Sequence, residues 1–573
     1  MPVQNTDVAD IFNKVADLLD IQGANPFRIR AYRNAARSIS SLPRNVSDMI
    51  EENYDLTALA GIGEDLASKI REIVETGALS QLEALEGDTP SELDTLMKVA
   101  GLGPKRVKAL HQDLGIENLK ELRKAAEKGK IHEIDGFGEK TEQTILEELQ
   151  KAGANKERMK LPEAEQRAEP LVAYLKKAKG IKEITVAGSF RRRKETVGDL
   201  DILVTCKKGS KVVERFVGYE DVRKVVSKGK TRSTVVLRSG VQVDLRVLPQ
   251  VSYGAALHYF TGSKSHNIAV RKLGSEKGFK INEYGVFKDK KRISGKIEKE
   301  IYGKVGLSYI EPELRENRGE IDAARKDKLP DLIKLNDLRG DLHAHTKETD
   351  GHNSLEEMAQ AAKDRGYDYM AITEHSKKVT VARGMDADRL KRQMEKIDHL
   401  NEKLDGITLL KGIEVDILKD GSLDLPDEVL KELDLTVCAV HYHRNLSGER
   451  QTERIIRAMD NPNFNILAHP TGRLINERKP YDVDMDKIME AASDRGCFLE
   501  INAQPDRLDL SDRYCKMAGE MKLKVVISTD AHSVTDLAFM RFGVDQARRG
   551  WMEAGDILNT RSWKQLKKML RRK

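Results

Sequence analysis

The sequence is poor in cysteine, in aromatic residues and in long apolar runs, and each shortage excludes a class of protein. Its 573 residues include four cysteines, which lack the paired spacing of a disulfide framework or a zinc ribbon. No apolar run approaches the ~20 residues that a membrane span needs. Because the amino terminus has no basic segment followed by an apolar core, we expect no secretion signal and predict a cytoplasmic protein. The cysteines are Cys206, Cys438, Cys497 and Cys515.

The chain also has little net charge, +6 from 99 Lys and Arg against 93 Asp and Glu. That balance permits binding to nucleic acid but does not indicate it. Charged residues make up 34% of the sequence and aromatic residues 5%, which favours a soluble, helix-rich protein. At this length we expect about four domains.

Two carboxylates follow a Gly-Ser turn near the middle of the chain. Gly188-Ser189 comes after an apolar strand, and a second predicted strand carries Asp199 and Asp201 at its start. Residues two apart on a strand share a face, so these carboxylates can hold two Mg²⁺ ions about 4 Å apart, the geometry of in-line phosphoryl displacement. The turn offers backbone N–H groups to phosphate oxygens, and Arg192 can add positive charge.

A third carboxylate completes this predicted metal site. The apolar residues of Val241–Val247 alternate, so the polar residues between them share one face. If this strand lies beside the one that carries Asp199 and Asp201, Asp244 comes next to both. The sequence therefore predicts a two-metal site built from two strands.

Three Gly-apolar-Gly turns, each between a helix end and a helix start, form a loose repeat in the first 150 residues. Glycine lets the backbone approach a phosphate closely, and the N-terminus of the following helix favours negative charge. The repeat resembles the helix-hairpin-helix motif, so we expect sequence-independent, salt-sensitive DNA binding. The glycines are Gly61, Gly63, Gly101, Gly103, Gly136 and Gly138.

Most of the 13 histidines lie beyond residue 335, where apolar segments end in His, Asp or Glu. Repeated strand–helix units with functional groups at the strand C-termini are typical of a β/α barrel with its site on one rim. Histidines together with carboxylates suit several ions of the Zn²⁺ or Mn²⁺ type. We interpret His399 and His443 as structural.

The segment around Asp199, Asp201 and Asp244 resembles the nucleotidyltransferase core of the family X DNA polymerases, the group of DNA polymerase beta. The resemblance implies that these aspartates bind two Mg²⁺ or Mn²⁺ ions and that Asp244 accepts the proton of the primer hydroxyl. The chain departs from the vertebrate enzyme at Val197, where that enzyme has a serine, and at Lys264, where it has an aspartate. The implied nucleotide contacts are Gly188, Ser189, Arg192, Gly198, Tyr259, Phe260, Gly262, Lys264 and Asn267, and the implied DNA contacts include Arg271 and Tyr284.

Lys69 matches the lysine that forms a Schiff base with an abasic deoxyribose in the vertebrate family member. Such a lysine needs burial or nearby positive charge, whereas Asp65 here replaces a neighbouring lysine. Lys69 is thus a candidate for lyase chemistry or for an ordinary phosphate contact. The basic segment 223–232 likewise either flanks the DNA or forms a solvated hairpin.

The series of His, Asp and Glu at strand ends resembles the PHP domain, a distorted seven-stranded β/α barrel with a three-metal phosphoesterase site. All nine ligand positions of that family are filled, which implies an active phosphoesterase that uses up to three ions of Mn²⁺, Zn²⁺ or both. The implied ligands are His343, His345, Asp350, His375, Glu414, His441, His469, Asp530 and His532.

We therefore predict a multidomain chain of the α+β and α/β classes. Its predicted parts are an 8-kDa-like helical domain (1–80), a second helix-hairpin-helix subdomain (81–155), a nucleotidyltransferase palm (156–250), a nucleotide-selection and template-contacting subdomain (251–318), a linker (319–335) and a PHP barrel (336–573).

The expected function is gap filling in DNA repair by a polymerase whose barrel is a 3′-5′ exonuclease that processes 3′ ends, with cleavage at abasic sites as a further expectation. Gapped or nicked DNA and dNTPs are the expected partners of a monomer. Two alternatives remain: a template-independent nucleotidyltransferase with an attached phosphoesterase, and a DNA-binding scaffold whose barrel holds metals structurally.

Overall fold

The computed structural model describes residues 3, 5–42, 46–59, 61–87, 93–97, 99, 102–134, 136–151, 158–207 and 210–571. The chain forms two compact units, Met1–Arg158 and Met159–Lys573. The predicted DNA contact Gly101 lies outside the described residues. Among the residues described, no helix combines the length and the apolar character that crossing a bilayer requires.

The first unit is helical and has two hydrophobic cores. One core joins the first four helices, where Phe12 and Tyr32 meet edge to face at 5.5 Å. The other includes Leu102, Val107 and Phe137 around the later repeats. The helices are α1 (Asn5–Gln22), α2 (Pro26–Ser41), α3 (Val46–Glu51), α4 (Glu64–Thr76), α5 (Ser80–Gly87), α6 (Leu93–Leu96), α7 (Pro104–Leu114), α8 (Leu119–Glu127) and α9 (Glu139–Lys151).

The second unit begins with a five-stranded sheet in the order β2-β4-β7-β6-β5, in which β4 and β7 are parallel and the other pairs antiparallel. A three-stranded antiparallel sheet, β8–β10, follows with the helices around it. The elements are β1 (Met159–Lys160), α10 (Leu161–Lys176), β2 (Ile181–Val186), α11 (Gly188–Arg191), β3 (Thr196–Val197), β4 (Leu200–Cys206), α12 (Val212–Val217), β5 (Val222–Lys228), β6 (Arg232–Leu237), β7 (Gln242–Leu248), α13 (Tyr253–Thr261), α14 (Lys264–Glu276), β8 (Phe279–Asn282), β9 (Gly285–Lys288), β10 (Lys291–Ser294), α15 (Glu298–Val305) and α16 (Glu320–Arg325).

Seven parallel strands in sequential order, β11 to β17, form the rest of the second unit. A parallel bridge between Ala344 and Ala531 brings the first and last strands together, so the predicted barrel is confirmed as a nearly closed ring. The C-terminal strand ends therefore share one rim. The elements are β11 (Gly340–Asp341), α17 (Leu355–Asp364), β12 (Tyr369–Ile372), α18 (Ala387–Asn401), β13 (Thr408–Asp416), α19 (Asp427–Leu430), β14 (Leu435–Ala439), α20 (Gly448–Met459), β15 (Ile466–Leu467), α21 (Met485–Arg495), β16 (Phe498–Asn502), α22 (Asp512–Glu520), β17 (Val525–Ser528), α23 (Met540–Arg549) and α24 (Trp563–Leu570).

The barrel and the five-stranded sheet share a hydrophobic core. Leu508, Phe539 and Phe542 of the barrel belong to a hydrophobic cluster that also includes residues of α10 and of the five-stranded sheet. Lys160 adds an ion pair at 2.7 Å to Asp506, which is buried in the barrel loop after β16. The loops above the barrel rim are thus fixed in part by the neighbouring domain.

A buried ion cluster ties α11 to the helices that follow the sheet. Arg191 donates to both carboxylate oxygens of Glu298 at 2.9 Å, and the fully buried Arg315 contacts the same carboxylate. Burial opposes ionisation of Glu298, but the two arginines lower its pKa well below its ordinary value. Glu298 therefore balances two cations that have little access to water.

We expect Glu298→Gln to lower the free energy of unfolding of the second unit by about 3–5 kcal/mol, because the change leaves two buried guanidinium groups without their carboxylate. Thermal melting monitored by near-UV circular dichroism measures the loss. Glu276→Gln, an exposed change on α14, is the matched control and should melt like the wild type. Equal melting of the two variants would contradict the role given to Glu298.

Candidate active sites

Three aspartates converge on the five-stranded sheet. Asp201 on β4 and Asp244 on β7 are register partners in the parallel pair, and the exposed Asp199 directly precedes β4. Thr234, opposite Asp244 on β6, donates its hydroxyl to Asp244 Oδ1. Neighbouring strands therefore bring together the carboxylates that the sequence places 43 positions apart (Asp201 and Asp244).

The electrostatics of this cluster fit divalent cations. Burial, and then the Asp199 and Asp244 carboxylates, raise the pKa of Asp201 to about 7. A bound cation would reverse that like-charge repulsion. Gly188 leaves the approach to Asp201 open, because a Cβ at its φ of +63° would lie 2.9 Å from Asp201 Oδ2.

The predicted phosphate contacts lie around α11, between β2 and β4. Gly188 and Ser189 open this one-turn helix, and Gly198 lies between β3 and β4. Arg192 follows the helix and is largely buried: its Nε donates to Glu316 Oε1 at 3.0 Å and its Nη1 to the carbonyl of Thr261. The predicted phosphate arginine is therefore already engaged in an ion pair.

The predicted nucleotide residues cluster at the end of α13 and the start of α14. Tyr259 and Phe260 pack edge to face at 5.1 Å, and the Arg246 guanidinium lies 4.9 Å from the Phe260 ring. Asn267 donates Nδ2–H to the Tyr259 carbonyl at 2.6 Å, while its buried Oδ1 has no hydrogen-bond partner within the described ranges. Gly262 caps α13, and the exposed Lys264 begins α14.

The predicted template contacts lie further along the same domain. Arg271 is exposed on α14, beside an open groove of about 620 Å³. Tyr284, 47% exposed, lies in the turn between β8 and β9. The basic segment 223–232 is largely the β5–β6 hairpin at the sheet edge, and most of its side chains are exposed.

The second glycine of each of the three turns in the first unit makes the same backbone hydrogen bond. In each, the amide four residues after the second glycine donates to that glycine's carbonyl and starts a helix. A Cβ at Gly63, Gly103 or Gly138 would meet no atom of the described residues within 4 Å, so packing against those residues does not require glycine. They leave the helix N-termini accessible to an anion. The bonds are Ala67 to Gly63 (2.9 Å), Val107 to Gly103 (3.0 Å) and Glu142 to Gly138 (3.1 Å).

Lys69 lies on α4, after the first of these turns. Its side chain is 17% exposed and pairs with Asp65 one turn earlier. The ammonium also lies 5.9 Å from the ring centre of Tyr32. The substituted aspartate thus contacts the candidate lyase lysine directly.

The barrel rim gathers all nine predicted ligands in one cluster, with Glu414 at its centre. Glu414 Oε2 lies 2.7 Å from His375 Nδ1, 3.6 Å from His343 Nε2 and 3.7 Å from His345 Nε2. Glu414 Oε1 lies 3.3 Å from His441 Nε2 and 3.1 Å from His469 Nε2. Asp530 Oδ1 lies 3.3 Å from His345 Nε2, and Asp350 Oδ2 lies 3.3 Å from His375 Nε2.

The donor atoms of this cluster fit metal ions. Three overlapping groups each place their ligand atoms within 4.8 Å of one another. Within the part of the chain that the structure describes, several of these buried atoms have no hydrogen-bond partner, including both ring nitrogens of His345 and Oε2 of Glu414. Buried imidazole and carboxylate groups of this kind suit Zn²⁺ or Mn²⁺. The groups are His345, Asp350, His375 and His532; His343, His345 and Asp530; and His375, Glu414 and His441.

Two further carboxylates, which the sequence did not single out as functional, orient the ligands. His343 Nδ1 lies 2.7 Å from the buried Glu500, and His441 Nδ1 lies 3.1 Å from the buried Asp416. Each contact directs the other ring nitrogen towards the cluster. Their position near the ends of β16 and β13, on the same rim, is the sequence feature that could have identified them.

Family models match the chain in five consecutive segments. They describe a helix-hairpin-helix domain (residues 3–79), a SAM-like helix-hairpin-helix tandem (93–151), the DNA polymerase beta palm (158–241), the DNA polymerase beta thumb (256–316) and a PHP domain (341–504).

The DNA polymerase/3′-5′ exonuclease PolX of Bacillus subtilis strain 168 is 38% identical to this chain over 573 residues, which is 99% of each protein. Shorter matches are to probable phosphatases. That of Thermoanaerobacter sp. strain X514 is 30% identical over 232 residues, 38% of this chain and 89% of the phosphatase. That of Caldanaerobacter subterraneus is 29% identical over 209 residues, 34% and 77% of the respective chains.

Proposed function

This chain belongs to the family X DNA polymerases that carry a C-terminal PHP domain, and we propose that it fills short gaps in DNA and removes nucleotides from 3′ ends. The observation that supports this most is the presence, in one compact unit, of the aspartate cluster on the palm sheet and the histidine–carboxylate cluster on the barrel rim. Both chemistries act on a 3′ terminus.

In the palm, Asp199, Asp201 and Asp244 would hold Mg²⁺ or Mn²⁺, which neutralises phosphate charge and activates the primer hydroxyl for in-line attack. Asp244 accepts the hydroxyl proton, with its carboxylate held by the Thr234 side chain. Gly188 and Ser189 present the opening of α11 to the triphosphate.

In the barrel, the nine rim residues would hold up to three ions of Mn²⁺ or Zn²⁺, which activate water and stabilise charge on a phosphate. Glu500 and Asp416 fix the rings of His343 and His441, so that the ring nitrogens facing the cluster are set before substrate arrives. The likeness to probable phosphatases favours a second substrate of the same site, a 3′-phosphate that blocks extension.

One labelled primer tests both activities. A 5′-labelled primer on a short-gapped duplex is incubated with Mn²⁺, with and without dNTPs, using the wild type, Asp199→Ala and His343→Ala. We expect extension to fail in the first variant alone and shortening to fail in the second alone. A primer that never lengthens would favour the template-independent transferase. Salt-sensitive DNA binding without either reaction would favour the scaffold.

The ion pair of Lys69 with Asp65 predicts weak lyase activity, because the Lys69 amine must leave Asp65 before it can reach an aldehyde. We expect Asp65→Lys to increase borohydride trapping on a 5′-deoxyribose phosphate by about tenfold, the effect of roughly 1.4 kcal/mol. Glu64→Lys makes the same charge change one residue earlier and is the control. Strong trapping by the wild type, equal to that of Asp65→Lys, would contradict this.

A further inference from the structure

A buried arginine of the nuclease barrel reaches into the polymerase site. Arg549, the last residue of α23, is 2% exposed. Its Nη1 donates to the backbone carbonyl of Arg192 at 2.7 Å, and its Nη2 lies 3.2 Å from Glu316 Oε1. Arg549 therefore contacts the segment that carries the predicted phosphate arginine, although 357 positions separate the two arginines.

Arg549 and Arg192 share one carboxylate oxygen. Arg192 Nε donates to Glu316 Oε1 at 3.0 Å, the same atom that Arg549 contacts. Burial opposes ionisation of Glu316, yet its pKa is lowered, by Arg549 first and by Arg192 second. Arg549 is in turn held by Asp512 Oδ2 at 2.6 Å.

Because Arg549 also contacts this oxygen of Glu316, it lowers the energetic cost of turning Arg192 towards a triphosphate. Without Arg549, that movement would leave the largely buried Glu316 with only the charge of Lys194 nearby and with no hydrogen-bonded arginine among the described residues, which is costly. With Arg549 in place, Glu316 keeps a cation, so Arg192 can leave at lower cost.

We propose that Arg549 is a positioning residue of the polymerase site, through which the nuclease barrel sets the affinity for the incoming nucleotide. It holds Glu316 and the Arg192 backbone so that the Arg192 side chain is available to the triphosphate. The proposal rests on the proposed polymerase function and on Arg192 as its phosphate contact.

Steady-state primer extension by the full chain tests it through KM and kcat for a dNTP. We expect Arg549→Gln to raise KM by about tenfold, the effect of losing one hydrogen bond to a charged group, with kcat changed much less. Removing the carboxylate as well, in Arg549→Gln with Glu316→Gln, should return KM to within about threefold of the wild type, because Arg192 then leaves no buried carboxylate unpaired when it moves.

The matched control is Arg548→Gln. Arg548 lies beside Arg549 on α23 and also joins barrel to polymerase, through Glu313 at 2.8 Å and the Ile333 carbonyl, so KM should stay unchanged. Arg549→Lys keeps the charge and should recover most of the affinity. Unchanged 3′-end cleavage reports that the barrel of each variant is folded.

An unchanged KM in Arg549→Gln, a double variant worse than the single one, or a lysine variant as weak as the glutamine variant would each overturn the proposal. If Arg549→Gln fails to fold, the KM values of Arg549→Lys and Arg548→Gln are compared instead. A KM about tenfold higher in Arg549→Lys overturns the proposal. A wild type that never extends the primer refutes the proposed polymerase function instead.

Discussion

Glu414→Gln is expected to lower 3′-end cleavage by about a thousandfold or more while nucleotide incorporation continues. Glu414 is the centre of the rim cluster, with ring nitrogens of five histidines within 3.7 Å of its oxygens. An amide lacks the negative charge and turns an N–H group towards those nitrogens. Loss of metal ions that supply several kcal/mol gives an effect of this size. Single-turnover cleavage and the bound metal, measured by elemental mass spectrometry, report it.

Glu428→Gln is the matched control, since Glu428 is exposed on α19 of the same barrel. It should keep both its metal content and its cleavage rate. A Glu414→Gln protein that retains full metal and cleaves at the wild-type rate would show that the cluster is not the nuclease site.

Asp201→Asn is expected to reduce nucleotide incorporation by about a thousandfold or more, because metal ions supply several kcal/mol of transition-state stabilisation. The same change should leave 3′-end cleavage intact. Asp201 lies between Asp199 and Asp244, so the change removes the central charge of the cluster at nearly constant volume. Single-nucleotide incorporation at saturating dNTP measures the loss. Glu214→Gln, exposed on α12, should incorporate normally; activity of Asp201→Asn within tenfold of the wild type would place the metal site elsewhere.

Thermal stability distinguishes a loss of catalysis from a loss of folding in Asp201→Asn. The pKa of Asp201 is raised to about 7, against ~3.9 for an unfolded aspartate. In the metal-free protein the ionised carboxylate therefore destabilises the fold above pH 7. We expect Asp201→Asn to melt higher than the wild type in EDTA at pH 8. The difference should shrink as the pH falls through 7 towards 4, where both states bind the proton.

The family, the fold class and the barrel could be predicted from sequence because each depends on a local pattern. Gly-apolar-Gly before a helix and histidine at the end of an apolar strand are encoded within a few residues. The roles of the individual site residues and the domain boundaries stay predictions. The predicted linker 319–335 includes α16, whose Ala324 packs into the core below α14 and α15.

Side-chain type and strand or helix periodicity are local properties, so the residues able to carry chemistry are identifiable from the sequence. Which of them meet depends on the tertiary structure. The register of Asp201 with Asp244 depends on strand order. The contact of Glu500 with His343 depends on closure of the barrel, and the contact of Arg549 with Arg192 on docking of that barrel against the palm. Such contacts join residues far apart in the chain, and no short-range pattern records them because they arise from packing and charge compensation in the folded state.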